Sequence, residues 1–185
     1  MGDLYVALLH APVYNKNMET IATSITNLDI HDIARSATTY GVKRYYIVHP
    51  AEAQRALAQR IMGYWQEGFG AEYNPNRQEA FARVKLASEL AAVEEEILKE
   101  QGRRPLKIAT DARRYPNTLG YAAVRDKIEN GEEPLLLLFG TGWGLLREVM
   151  EDCDIILEPI YGPGEWNHLS VRSAAAIILD RLRGH

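Results

Sequence analysis

One cysteine, Cys153, is all that 185 residues contain, which excludes an internal disulfide and any cysteine-built metal cluster. Beside the apolar run at 155–157 it reads as a small core residue. No apolar run approaches the roughly 20 residues of a membrane-spanning helix. The N-terminus has neither a basic stretch nor a small-residue cleavage site, so the expected compartment is the cytoplasm. The net charge of −4 excludes a uniformly basic nucleic-acid coat, and any RNA site has to be a local basic patch. His10, His31, His49, His168 and His185 show no metal-ligand spacing, and no metal site is expected. A Walker A loop and a Gly-x-Ser-x-Gly elbow are both absent. There is no internal repeat, low-complexity tract or linker.

What is present is alternation. Short apolar runs at 4–9, 43–48, 81–86, 106–109, 135–139 and 155–157 read as buried strands. Helical spacing separates them: 30–37 ending at Gly41, 51–66 with Leu57, Ile61 and Met62 inward, 89–101 capped by Ser88, 118–130 closed by Gly131, and 174–182. Residues 68–76 read as a turn-rich connection, and Glu94-Glu95-Glu96 as a solvated acidic face. Strands alternating with helices indicate an α/β fold with a mainly parallel sheet flanked by helices. The length fits one domain, 1–185, with a sizeable core.

The stretch 135–182 organises the chain. A leucine-rich strand runs into Gly140-Thr141-Gly142-Trp143-Gly144, then a short helix, a second strand, a Gly- and Pro-rich loop at 158–166, and a polar helix start at 167–173. Two loops leaving the ends of adjacent parallel strands are expected to meet in one crevice, where α/β sheets hold small ligands. The glycines let a ligand approach bare backbone. Gly140-x-Gly142-x-Gly144 is one residue short of the dinucleotide fingerprint, and no later βαβ unit follows with a ribose-binding acid.

Three segments resemble the motifs of the SPOUT superfamily of RNA methyltransferases. The first is Asn27-Leu28-Asp29-Ile30-His31-Asp32-Ile33-Ala34-Arg35, continuing to Gly41-Val42 before a strand. The second is Leu138-Phe139-Gly140-Thr141-Gly142-Trp143-Gly144-Leu145. The third is Asn167-His168-Leu169-Ser170-Val171-Arg172-Ser173-Ala174. They stand in the family's order and at its spacing, from the first strand to the last helix. The chain is similar to the single-domain bacterial branch of that family.

The resemblance implies a C-terminal deep trefoil knot, an exception to the rule that chains avoid threading. It implies S-adenosylmethionine (SAM) bound within about 106–182, on Thr110, Asp111, Ala112, Phe139, Gly140, Thr141, Gly142, Trp143, Glu158, Ile160, Asn167, His168, Leu169, Ser170 and Ser173. It also implies a homodimer, a tRNA or rRNA substrate, and catalytic roles for Arg35 and Asp29. The alternative is a non-catalytic dimeric knot that binds SAM or RNA and acts through a partner protein. Three departures bear on the acceptor atom. Asp29 stands where the ribose-methylating branch has asparagine, and Gly142 stands where that branch has glutamate. The third motif reads His-Leu-Ser-Val-Arg-Ser rather than Ser-Leu-Asn-Val-Ser-Val.

Each residue also has a plain structural reading. Arg35 is either a surface arginine or a rigid guanidinium fork for chemistry or phosphate. Asp29 is either a helix N-cap or a general base. Trp143 and Trp166 are either core or the wall of an adenine or base. Ser170 and Ser173 either start a helix or bond the cofactor. Arg103, Arg104, Lys107, Arg113, Arg114 and Arg125 form either a solvated surface or an RNA-backbone track.

Overall fold

A computed structural model describes residues 2–185. In chain order its elements are β1 (Leu4–Leu9), the hairpin strands β2 (Val13–Tyr14) and β3 (Thr20–Ile21), α1 (Asn27–Thr39), β4 (Arg44–Val48), α2 (Glu52–Gln66), α3 (Gly68–Tyr73), α4 (Pro75–Phe81), β5 (Val84–Ala87), α5 (Leu90–Gln101), β6 (Leu106–Ala109), β7 (Thr118–Leu119), α6 (Tyr121–Asn130), β8 (Leu135–Gly140), α7 (Arg147–Glu151), β9 (Ile155–Leu157) and α8 (Val171–Arg183).

Seven strands form one sheet in the order β5-β4-β1-β8-β6-β9-β7. Every pairing in it is parallel. The mainly parallel α/β reading therefore holds. All six residues of β1 and the first five of β8 are buried, as central parallel strands covered on both faces require. Alternate side chains enter opposite cores. Leu4, Val6 and Leu8, with Leu135, Leu137 and Phe139, pack under α1, α2, α4, α6 and α8. Tyr5, Ala7 and Leu9, with Leu136 and Leu138, pack under α5 and α7. The last helix, α8, lies between α1 and α6.

The strand order corrects one expectation. β8 and β9 are not neighbours, because β6 lies between them. Four strand ends, those of β1, β8, β6 and β9, and not two, feed the crevice. β1 continues to β4 on one side, whereas β8 continues to β9 on the other. Their carboxyl ends are thus a topological switch point, where such sheets open a ligand crevice.

Local differences have local causes. Residues 68–76 belong to two short helices, α3 and α4, the latter with Asn74 accepting from the Arg77 amide at its start. Phe81 ends α4 rather than opening a strand. The stripe buried by α2 runs through Ala58 and Met62, with Ile61 and Trp65 packed beside it, which turns Leu57 out to 45% exposure. Residues 118–119 extend the sheet, so the helix after them starts at Tyr121. The residue flanking α5 is Glu89, and no side chain caps that helix. Glu94-Glu95-Glu96 is only partly a solvated face. Three successive residues sweep about 200° of a helix, so they cannot all point away when Val93 and Ile97 point in. Glu94 pairs with Lys107 at 3.3 Å, and Glu96 pairs with Lys85 and accepts from the Tyr46 hydroxyl at 2.9 Å.

The basic residues do not form one track. Lys107 is buried between Glu94 and Asp152, and the Arg125 guanidinium donates to the Arg181 carbonyl. Arg103 and Arg104 precede β6, at the sheet end away from the crevice. Only Arg113 and Arg114 lie in the loop that leaves its carboxyl end.

Candidate active site

A cavity of about 640 Å³ opens at the switch point. Its size suits a small-molecule ligand. Its walls come from the residues after β1, β6, β8 and β9, from the start of α1 and from the approach to α8.

The glycine turn after β8 needs its glycines at two places. A Cβ on Gly140 would lie 2.9 Å from the Leu145 amide nitrogen. Gly142 has φ +60°, and a Cβ there would meet the Tyr14 carbonyl oxygen at 2.7 Å. That carbonyl accepts from the Trp143 amide at 2.8 Å, and the Gly144 carbonyl accepts from the Tyr14 amide at 3.0 Å. The hairpin β2–β3 thus clamps the turn. Thr110 donates to the Leu138 carbonyl at 2.8 Å, tying the loop after β6 to β8. Asp111 holds Arg113 through both Nε, at 3.0 Å, and a terminal nitrogen, at 2.6 Å. The Asn167 amide donates to the Ala112 carbonyl at 3.0 Å, so the loop before α8 reaches the loop after β6.

Of the residues expected at the cofactor, Thr110, Asp111, Ala112, Phe139, Gly140, Thr141, Gly142, Trp143, Glu158, Ile160, Asn167, His168, Leu169 and Ser170 all line this one cavity. Ser173 does not line it. It sits in the first turn of α8, where its amide donates to Ser170 Oγ at 3.2 Å, so Ser170 is the helix cap. Glu158 also has a structural task, because its carboxylate accepts from the Tyr121 amide at 3.1 Å at the start of α6. Negative charge is favourable at that helix end. Trp143 stands 60% exposed at the cavity and Trp166 79% exposed beyond it, so neither is core.

Asp29 lines the cavity, but it is not the N-cap of α1. Thr26 is, and its hydroxyl accepts from the Asp29 amide at 3.1 Å. The Asp29 carboxylate is turned to Arg172, whose Nη1 donates to it at 3.1 Å, while Arg172 Nε lies 3.3 Å from Asp32. This clasp joins the first and third motifs. Asp29 is 6% exposed, whereas the Arg172 side chain is 30% exposed. Arg172→Ala should therefore cost roughly 1–3 kcal/mol, between a surface pair and a fully buried one. Urea unfolding measures this, and Asp29→Asn in the same chain should restore part of the loss.

Arg35 lies elsewhere. It is exposed on α1, outside the cavity, with no carboxylate in salt-bridge range among the described residues. Sequence reading missed His10, Thr23, Ser24 and Thr26, which also line the cavity. His10 follows β1, and only the strand order reveals that β1 borders β8. Burial lowers the His10 pKa to about 4, with Asp29 opposing and His49 reinforcing that shift. No group of three or more His, Cys, Asp or Glu residues able to hold a metal occurs among the described residues.

Comparison with known proteins adds a family. A family described as SAM-dependent RNA methyltransferase matches residues 3–184. An uncharacterized protein of Aquifex aeolicus is 51% identical over 97% of this chain and 88% of its own length. A protein of Nitratidesulfovibrio vulgaris named tRNA (guanine-N(1)-)-methyltransferase is 47% identical over 98% of this chain. The chain spans only 42% of that relative's length, so the name covers a longer protein than the match. Among solved structures, the SpoU methyltransferase AviRb of Streptomyces viridochromogenes, in complex with AdoMet, superimposes with TM-score 0.59 at 18% identity. The overlap covers 97% of this chain and 56% of that one, and the likeness is one of fold.

Proposed function

The chain belongs to the family of SAM-dependent RNA methyltransferases, and from that premise we propose that the crevice at the switch point binds SAM and presents its methyl to a nucleotide of tRNA or rRNA. The observation that carries this reading is the meeting of three loops, after β6, β8 and β9, in one cavity with a glycine turn at its centre. Those loops contribute Thr110, Asp111 and Ala112; Phe139 to Trp143; and Glu158, Ile160 and Asn167 to Ser170, with Ser173 acting behind Ser170. The name of the Nitratidesulfovibrio relative favours tRNA over rRNA. Its guanine-N1 specificity is not carried over, because more than half of that protein lies outside the match.

Residues 1–185 act in this reading as one SPOUT domain with a trefoil knot formed by the chain leading into α8. The working form is a homodimer, in which Arg35 of one protomer reaches RNA at the other's crevice. The exposure of Arg35 outside its own cavity supports that placement. No helix among the described residues is long and apolar enough to cross a membrane, and the proposed place of work is the cytoplasm.

Bound SAM supplies an electrophilic methyl on a sulfonium. The chain's own groups fix its position and exclude water. The clamp of β2–β3 on the glycine turn keeps the Gly140 to Gly144 backbone rigid against the ligand. The clasp of Arg172 on Asp29 fixes the opposite wall.

The test is methyl transfer from labelled SAM to total RNA of cells lacking the protein, followed by mapping of the labelled nucleotide. Label at one nucleotide of tRNA or rRNA is the expected result. SAM binding without transfer to any RNA would favour the non-catalytic module instead.

A further inference from the structure

A second cavity, also of about 640 Å³, adjoins the crevice, and Met18 and Arg113 line both. Its floor is apolar: Leu145 and Met150 are buried, and Cys153 and Ile156 are half-buried. Burial pushes the Cys153 thiol up to about 12, so this residue is wall and not nucleophile. Tyr14 and Tyr115 add aromatic surface. The rim is polar, with Arg113, Asn117, Arg147, Glu151 and Asp154.

The charges of that rim are already matched. Asp111 holds Arg113 at 2.6 Å, and Glu151 holds Arg147 Nε at 2.6 Å. The Asp154 carboxylate accepts from the Lys107 amide at 2.8 Å. Cations engaged in this way leave little for a phosphate. An apolar floor, tyrosine rings and a rim of donors and acceptors suit a neutral planar heterocycle instead.

Met18 marks the boundary between the cavities. Its φ is +61°, a left-handed backbone that residues with a Cβ rarely adopt. The turn of the β2–β3 hairpin holds it there. The Met18 amide donates to the Asn15 carbonyl at 3.0 Å, and the Asn17 and Glu19 amides donate to Asn15 Oδ1 at 2.8 and 3.0 Å. Backbone strain of this kind clusters at ligand clamps.

We propose that the second cavity seats one unpaired nucleobase of the RNA substrate, a neighbour of the nucleotide that receives the methyl. This rests on the function proposed above. The base lies on the apolar floor against the tyrosine rings, and its polar edge meets the rim. Stacking on an aromatic ring accepts any base, so the tyrosines supply affinity. Asn117 both donates and accepts, and the rim carboxylates ask for a donor, so these groups supply preference among bases. A base locked in a duplex cannot enter, which directs the protein to a single-stranded loop.

The methionines report on both cavities. The chain has four, of which Met18 lines both cavities, Met150 lines only the second, and Met62 lies in the core under the opposite sheet face. In methyl NMR of methionine-labelled protein, SAM should move the Met18 signal and leave Met150 in place. With SAM saturating, adenosine, guanosine, cytidine and uridine monophosphates are then added at millimolar concentration. At least one should move Met150 and Met18 saturably, with Met62 unmoved and ribose 5-phosphate without effect. In transfer assays with bulk tRNA or rRNA, Tyr115→Ala should raise the half-saturating RNA concentration roughly tenfold or more, while SAM affinity holds. Tyr115→Phe should restore most of that loss, and Asn117→Ala, an exposed position, serves if Tyr115→Ala melts early. A Met150 signal that no nucleotide moves, or that ribose 5-phosphate moves equally, overturns the proposal and leaves the SAM reading standing. A Met150 signal moved by SAM alone assigns the cavity to the cofactor. SAM that moves neither methionine refutes the SAM reading and the base seat with it.

Discussion

Gly142→Val is expected to abolish measurable SAM binding while the sheet stays folded. A non-glycine residue at φ +60° costs roughly 1–2 kcal/mol, and a β-branched one costs more. The added Cβ also meets the Tyr14 carbonyl oxygen at 2.7 Å. That oxygen is backbone in β2 and accepts from the Trp143 amide, so it cannot swing aside as a side chain would. The turn must move, and the wall formed by Thr141 to Gly144 moves with it. Each 1.4 kcal/mol lost is tenfold in affinity, so a loss of ~100-fold or more follows. The turn lies past the end of β8, whose first five residues are buried in the sheet, so thermal unfolding should shift little. Gly142→Ala should fall between. Calorimetry reads the affinity and a thermal melt reads the fold. Wild-type affinity in Gly142→Val would mean that SAM does not rest on this turn.

Arg35→Ala is expected to leave SAM affinity within about a factor of two while transfer to RNA falls ~10²-fold or more, the cost of losing a positioned electrostatic group. The geometry sharpens the expectation. α1 lines the cavity at its start, through Asp29 and the Thr26 cap before it. Arg35 is six residues further on, about 9 Å along the helix axis. It is exposed and has no carboxylate in salt-bridge range among the described residues, so its guanidinium is available to a phosphate beside the target nucleotide. Its permanent charge and lack of an acceptor argue for phosphate positioning and charge stabilisation over a role as literal general base. Arg35→Lys should rescue little, because a point charge does not copy the bidentate fork. Transfer at the wild-type rate by Arg35→Ala would make it ordinary surface, and lost SAM binding would place α1 wrongly in this account.

Much of the fold was legible because its signals are local. Leu4 to Leu9 and the leucines from 135 are continuous apolar runs, and only strands buried on both faces need them. Gly41 ends α1 at φ +66° and Gly102 ends α5 at φ +71°, as C-terminal glycines do. The crevice loops were legible through their glycines and polar helix start, and fourteen of the fifteen residues expected to meet there line one cavity. What failed was non-local. Nothing in the run Ile155 to Leu157 says that β6 will insert between it and β8. Asp29 looked like a cap because capping residues crowd positions 26–29, and only the distant Arg172 reveals why its carboxylate turns inward. His10 looked like one histidine among five, until the strand order set β1 beside β8.

The most direct test of the account titrates SAM, then S-adenosylhomocysteine, into the wild-type protein in EDTA and follows heat. One saturable site per chain, shared competitively by both ligands and lost in Gly142→Val, is the predicted result. No heat and no thermal shift at high ligand concentration would contradict the assignment of this crevice to SAM.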